Sequence, residues 1–507
     1  LRHTVVLVYP IISGRTLSAD ALRGIAAHVN GGGTVLAFDI EGGGLEPVFG
    51  IGAPAPSRAR DELHWQGAKG PPEEQITRFS RHGSEVTLGS IAYAPQGAEV
   101  IAKYEDGAAA ILCRRTSGKA CVMGVDLGSL AQRAADGRAE PIARDYVNAY
   151  EPSLDVLVRW VRDLYVEGEP IPWLIDTVPN GHDVSIVMTH DIDFTRSVRN
   201  AHAYADLEKA NGVKATYFMQ TKYVRDFNDD VFLTKETVPQ LNYWRALGME
   251  LASHTVAHSK VMHQFPIGDG RESYPDYHPF VTDRLKARDG TLFGETRVSK
   301  FLIEHFTGAQ VISFRPGHLS YPFKLPEVLE ATGYQFSSSN TANASLTHLP
   351  HQLSFAREGK ALSPIYEFSV TLEDEELPKL GDRFEAGSAV IAKIAANHGL
   401  VVILIHPDIT GHKLDFETKV IERWKNRAWM PDLAEFGAWW RARDRAEFDI
   451  AADGSFTVSA PEAANNIAVL LPKAKGMTKN GAGYKLAGGR LVLSEIKGDM
   501  RIPLGLR

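Results

Sequence analysis

Between residues 182 and 446 the chain repeats one pattern: a short apolar, β-branched run that breaks into polar residues, then a stretch with apolar positions at helical spacing. Strands are expected over 184–193, 214–219, 250–254, 311–315, 334–338, 365–370 and 401–406, with helices at 198–210, 295–306 and 389–397. This is a long α/β alternation, with helical patterns falling between several of the strands. Some seven of them in about 260 residues suggest a sheet closed by helices, a central distorted (β/α) barrel. In such folds the chemistry sits at the carboxyl ends of the strands.

The remainder of the 507 residues divides around this unit, and at ~150 residues per domain the length accommodates about three. Residues 1–166 alternate strand-like and helical runs, an α/β accessory domain. Gly31-Gly32-Gly33 falls where a helix must stop and a strand begin, so it reads as a C-cap supplying positive φ and not as a phosphate loop, which needs strand, glycines, helix in that order. Residues 167–181, with Pro170, Pro172 and Pro179, read as a linker. Residues 447–507 lose helical periodicity and hold short strands, a small β-sandwich-like domain expected to pack on the barrel.

A formal charge of −7 with 23% charged residues disfavours a nucleic-acid-binding surface or disorder. No apolar run approaches the ~20 residues of a membrane span. Two cysteines exclude a Cys-rich metal site. Cys113 and Cys121 flank the turn-like Thr116-Ser117-Gly118-Lys119, where a hairpin would set them opposite each other; both a cross-strand disulfide and two reduced residues are compatible with that placement.

Polar motifs end four of the strands. Met188-Thr189-His190-Asp191-Ile192-Asp193 places Asp191 and Asp193 on one strand face and His190 and Ile192 on the other. Alone, such a pair also suits a helix cap or a solvated loop. His254 and His258, four apart, would present both imidazoles to one cation if they occupied a helical turn, although such spacing also arises by chance among 18 histidines. Together the two motifs supply a carboxylate and two imidazoles with open positions left for water and substrate, which suits a catalytic zinc or similar ion. Ser313-Phe314-Arg315-Pro316-Gly317 offers Arg315 as a bidentate partner for Asp191. The apolar run ending in His406 offers a general acid.

Over residues 182–445 these motifs, in this order, resemble the polysaccharide deacetylases of the NodB-homology type, the family 4 carbohydrate esterases. The resemblance implies Asp193, His254 and His258 as metal ligands, most simply for Zn2+, Asp191 as general base, Arg315 as its orienting partner and His406 as general acid. Three departures stand out: Ile192 separates aspartates that are consecutive in the usual motif, the third motif reads Arg-Pro-Gly-His, and no Asp/Trp fourth motif appears over 334–343, which leaves the acetyl-methyl pocket unassigned. The first domain resembles flavodoxin-like, class I glutamine amidotransferase-like accessory domains through Gly31-Gly32-Gly33-Thr34-Val35-Leu36, the stretch from Leu45 to Ile51, and that from Ala102 to Val122. Both cysteines lie in the apparent hairpin and not at a nucleophile elbow, so the domain is expected to be non-catalytic.

The implied activity is metal-dependent removal of N-acetyl groups from an N-acetylhexosamine polysaccharide. The alternatives are an amidase or O-acetyl esterase acting on a smaller substrate, or an inactive carbohydrate-binding protein. The segment 260–293, with His263, Phe265, Tyr274, Tyr277, His278 and Phe280, would either stack on sugar faces or pack within itself; Trp429, Trp439 and Trp440 are expected in the core. The first residues form no signal segment, and a polymer outside the cytoplasm favours a periplasmic or secreted protein whose signal has been removed, with a cytosolic location left open. The expected partner is the polysaccharide, without nucleic acid; nothing bears on oligomeric state.

Overall fold

The computed structural model describes residues 3–506 except 68–74, 80–87, 136–152, 229, 343–345 and 359. Leu1 and Arg2, and Asn343 at the end of the stretch searched for a fourth motif, lie outside the described residues.

All seven strands expected in the middle of the chain are present, and they join one sheet in the order His351–Ser354, Leu362–Glu367, Phe336–Ser337, Ser313–Phe314, Glu250–Ser253, Ala215–Met219, Val184–Ile192, Leu400–Ile405. Every pairing along it is parallel except the first, between His351–Ser354 and Leu362–Glu367. The short edge strand His351–Ser354 and the two-residue Ala428–Trp429 carry too little periodicity to be read from sequence. The sheet curls until an isolated parallel bridge, Leu372 to Ile403, joins its far side back to Leu400–Ile405. Val184–Ile192 and Leu400–Ile405 are buried along their whole length, as expected for parallel strands covered on both faces.

The N-terminal sheet departs from a flavodoxin-like plan. Only Val5–Ile12, Thr34–Ile40 and Lys119–Met123 are parallel; Ala109–Arg115, Glu99–Tyr104, Glu62–Trp65 and Ile76–Arg78 continue the sheet as an antiparallel meander. The hairpin around Ser117 sets Cys113 opposite Cys121, and the two sulfurs are bonded, so neither cysteine is available as a nucleophile. Helix Ala19–Asn30 ends at Gly31, and Gly32 takes the positive φ of +97°.

The last segment is a single sheet and not a sandwich. Phe456–Leu470 and Arg490–Ile502 form its long central pair, flanked by Glu447–Ile450, Lys479–Gly481 and Tyr484–Ala487. Its second layer is the helix Leu433–Arg445, whose Trp439 and Trp440 share a core with Val458, Ile467 and Leu491. Sixty residues supply too little apolar surface for two sheets, and the aromatic helix provides the missing face. The expected linker also takes part: Leu174–Ile175 adds a strand to this sheet, and Asp176 accepts a hydrogen bond from Arg490 at 2.6 Å and contacts His398 of the barrel.

Candidate metal-binding active site

The strand Val184–Ile192 ends at the carboxyl edge of the barrel sheet, and its side-chain alternation separates two environments. His190 points toward the helices, where its Nε2 pairs with Glu208 at 2.8 Å. Asp191 and Asp193 converge on the site, each at most 5% exposed.

Asp193 is surrounded by imidazoles. Its Oδ1 lies 3.3 Å from His254 Nε2, and its Oδ2 lies 3.3 Å from both His258 Nε2 and His406 Nε2. Burial opposes its ionisation, but His258 and His254 outweigh that penalty and hold the carboxyl well below the usual carboxylate range. The ligand atoms of Asp193, His254 and His258 all lie within 4.8 Å of one another, a set that excludes His406.

These residues fit a metal ion. The Nδ1–H of His254 donates to the carbonyl of Arg315 at 2.8 Å, which leaves the Nε2 lone pair facing Asp193. Asp193 Oδ1 is buried with no hydrogen-bond partner. With His254 neutral, two acceptors face each other at 3.3 Å and repel unless a cation lies between them; a metal ion can take the place of the proton that would otherwise sit there, and a ligating histidine held through its other nitrogen is the usual supporting arrangement. One carboxylate and two imidazoles match the catalytic zinc donor set.

The histidine pair does not sit in a helical turn. Residues 254–258 form a loop in which Thr255 and His258 have positive φ of 69° and 53°. The buried Glu295 of helix Leu292–Thr307 holds this loop, its Oε2 accepting the backbone N–H of Val256 and of Ala257 at 2.9 Å each, while Thr255 Oγ1 accepts from His258 N at 3.1 Å. Gly317 completes the fit, since a Cβ there would stand 2.6 Å from the His258 ring.

Arg315 is fully buried and reaches Asp191 through one arm only, NH1 to Oδ1 at 2.7 Å. The bidentate contact expected from sequence is not made, because the other donors are engaged: NH1 also donates to Thr189 Oγ1, Nε to the Ser338 carbonyl and NH2 to Ser338 Oγ. The guanidinium lies 4.2 Å over the Phe218 ring. One oxygen of Asp191 is thereby fixed, and the other lies 3.7 Å from His254 Nε2.

His406 follows Leu400–Ile405 and is held by Asp374, a residue the sequence reading passed over. Asp374 Oδ1 accepts from His406 Nδ1 at 2.7 Å and Oδ2 from the His406 backbone N–H at 2.8 Å. Lys413 Nζ braces Asp374 at 2.6 Å and Asp408 at 2.6 Å. Burial disfavours the imidazolium, but Asp374 and Asp193 outweigh it and hold His406 well above the ordinary imidazole value. Asp374 sits in the acidic run Glu373-Asp374-Glu375-Glu376, which reads as a solvated turn, so no signal marks it as buried.

Leu319, Val370 and Leu404 supply apolar walls beside the cluster, and the His318 ring packs against His258 with centroids 4.5 Å apart and planes tilted by 40°. In the aromatic insertion, Tyr277 packs downward and donates to Glu295 at 2.8 Å, whereas Tyr274 stays 46% exposed.

Residues 179–337 match the family model for polysaccharide deacetylase. That range holds Asp191, Asp193, His254, His258 and Arg315 and ends before Asp374 and His406. No curated protein matches the chain. Among solved structures it is similar to a Mycobacterium smegmatis protein assigned as a polysaccharide deacetylase, with 13% identity, a TM-score of 0.40 and coverage of 53% of this chain and 93% of that one. It is also similar to an allantoinase, at 14% identity and TM-score 0.37 over 53% and 93% of the two chains. A third similar structure is a family 4 carbohydrate esterase from Streptomyces lividans in complex with acetate, at 13% identity and TM-score 0.29 over 48% and 88%. Residues 179–337 are thus a polysaccharide deacetylase domain, carried on a curled, mixed α/β sheet.

Proposed function

We propose that the protein is a metal-dependent hydrolase that removes N-acetyl groups from an N-acetylhexosamine-containing polysaccharide and releases acetate. The observation that carries this reading is the flanking of one ligand set by two differently prepared proton-transfer groups: Asp191 beside Arg315 on one side, and His406 backed by Asp374 on the other. A divalent ion held by Asp193, His254 and His258, zinc on this donor set, would supply Lewis acidity to an acyl carbonyl and to water.

The chain's own residues account for the proton movements. Arg315 pins Asp191 Oδ1, so Oδ2 is the atom placed to take a proton from the attacking water. His406 delivers a proton from Nε2 to the departing amine, and Asp374, hydrogen-bonded to Nδ1, stabilises the imidazolium before transfer and holds the ring in place after it. The apolar walls at Leu319, Val370 and Leu404 suit the acetyl methyl group. The Cys113–Cys121 disulfide supports an oxidising, periplasmic or extracellular location, where such polymers occur.

The test is acetate release by the zinc-loaded full chain from soluble N-acetylglucosamine oligomers, set against O-acetylated xylan. Stoichiometric appearance of acetate and free amine supports the proposal; acetate from the ester substrate alone would redirect it to ester hydrolysis.

A further inference from the structure

The N-terminal domain carries a second cleft that the barrel chemistry does not use. It opens where the three parallel strands Val5–Ile12, Thr34–Ile40 and Lys119–Met123 end, and the antiparallel ribbon of Ile51–Ser57 with Ser90–Pro95 forms its other wall. The carboxyl edge of parallel strands is where open α/β sheets take ligands. The cleft measures about 530 Å3, within the range of small-ligand sites.

Its two aspartates are treated unequally. Asp126 is committed: Oδ1 accepts from Tyr9 OH at 2.8 Å and from Ser129 N at 2.9 Å, and Oδ2 from Ser129 Oγ at 2.5 Å. Burial pushes Asp126 up, but these bonds outweigh it and hold the carboxyl below its usual value. Asp39, at the end of the neighbouring strand, has a buried Oδ1 with no hydrogen-bond partner; Arg58 also lines the cleft and is itself engaged, but among the described residues it is not ion-paired with Asp39. Burial and the nearby Glu41 and Asp126 push its carboxyl up to about 6. A carboxylate left half-desolvated beside another lacks a donor, and a cation would relieve both. Around the pair, Ile11, Phe38 and Ile91 offer an apolar surface.

A ligand matching this cleft has a positive hydrogen-bond donor for Asp39 and a compact apolar face for Phe38 and Ile91. A sugar ring bearing a free ammonium group has both, and deacetylation produces that group. We propose that the N-terminal cleft binds a deacetylated aminohexose unit of the polymer on which the barrel acts. The identity of the ligand, though not the existence of the cleft, rests on the deacetylase reading. An N-acetylated unit, neutral at nitrogen, would leave the Asp39 charge uncompensated, so the cleft discriminates product from substrate. Tethered to the catalytic barrel, such a site raises the local concentration of partly processed polymer at the metal centre.

The test is calorimetric titration of the full-length protein with glucosamine tetramer, N-acetylglucosamine tetramer and the linear polyamine spermidine. We expect one glucosamine tetramer bound per chain at the cleft, at least tenfold tighter than the acetylated tetramer or spermidine. Binding should persist in His254→Ala. It should weaken at least tenfold in Asp39→Asn and in Ser57→Trp, which fills the cleft from the ribbon wall, while acetate release from a short acetylated oligomer stays unchanged in both. Wild-type affinity in those two variants, loss of binding in His254→Ala, or equal binding of spermidine would each overturn the proposal. Acetate release without Asp39-dependent binding sinks the cleft alone; Asp39-dependent binding without acetate release from any acetylated sugar sinks the catalytic reading alone.

Discussion

The barrel and the N-terminal domain both end parallel strands in aspartates, and they surround them with different partners. In the barrel each carboxylate meets a partner delivered by a different element: Asp191 meets Arg315, Asp193 meets His254 and His258, and Asp374 meets His406 and Lys413. In the N-terminal sheet Asp126 is satisfied by Ser129 and Tyr9, but Asp39 keeps a buried oxygen without a donor. A site whose charges are compensated in place is prepared for chemistry, because its groups need not reorganise when charge moves. Each region leaves one buried acceptor orphaned, and what differs is its company: Asp193 Oδ1 faces an imidazole suited to share a metal ion, whereas Asp39 lies beside the carboxylates of Glu41 and Asp126. Substitutions in the barrel should therefore remove turnover or metal, and substitutions in the N-terminal domain should leave both intact.

The largest effect expected from a residue outside the ligand set is at His406. His406→Asn should lower kcat on the order of 10²–10⁴-fold while the protein retains its metal, measured by turnover beside elemental analysis. Asp374→Asn should produce a smaller loss in kcat with little change in KM, because it removes the brace and keeps the acid; a rise in KM alone would contradict that role.

Next comes Glu295, which touches no ligand atom but fixes the loop that carries both histidines. Glu295→Gln should weaken metal affinity roughly 10- to 100-fold, as read by competition with a chelator. Unchanged affinity would mean that the positive-φ loop holds its shape unaided.

In the N-terminal domain the effects should fall on stability. The disulfide closes a short loop, and replacing both Cys113 and Cys121 by serine should cost about 2.5 kcal/mol in denaturant unfolding of that domain, with metal content unaltered. The smallest effect concerns the junction with the barrel, where Asp155 accepts from Thr347 Oγ1 at 2.6 Å and from the backbone N–H of His348 at 2.8 Å. Burial, working against those bonds and Arg159, pushes this carboxyl up to about 6. Between about pH 4 and 6 the folded state then binds the extra proton, so this group's contribution to stability is full at the acid end and is lost as pH rises through 6. Asp155→Asn should flatten that slope in a series of thermal melts; an unchanged slope would mean that Asp155 is not its source.

The same contrast explains what could be read from sequence. The seven barrel strands were legible because each is an apolar run ending in polar residues, and the strand alternation of Asp191 and Asp193 followed from a period of two. The loop at His254 to His258 was not, because a spacing of four suggests a helix and the carboxylate that unwinds it, Glu295, lies 37 positions beyond His258. Asp374 was missed for a related reason: an acidic run looks solvated until Lys413, on a later helix, is seen to fold over it. The C-terminal unit was read as all-β, but its second layer comes from the Trp439–Trp440 helix, a tertiary partner that strand patterning does not reveal.

The central claim is that Asp193, His254 and His258 hold the ion on which turnover depends. Its most direct test is elemental analysis of the purified full chain and of His254→Ala, paired with acetate release from an N-acetylglucosamine oligomer. The account predicts one divalent ion per chain and measurable acetate in the wild type, and loss of both in the variant. Acetate release by metal-free His254→Ala protein would contradict it.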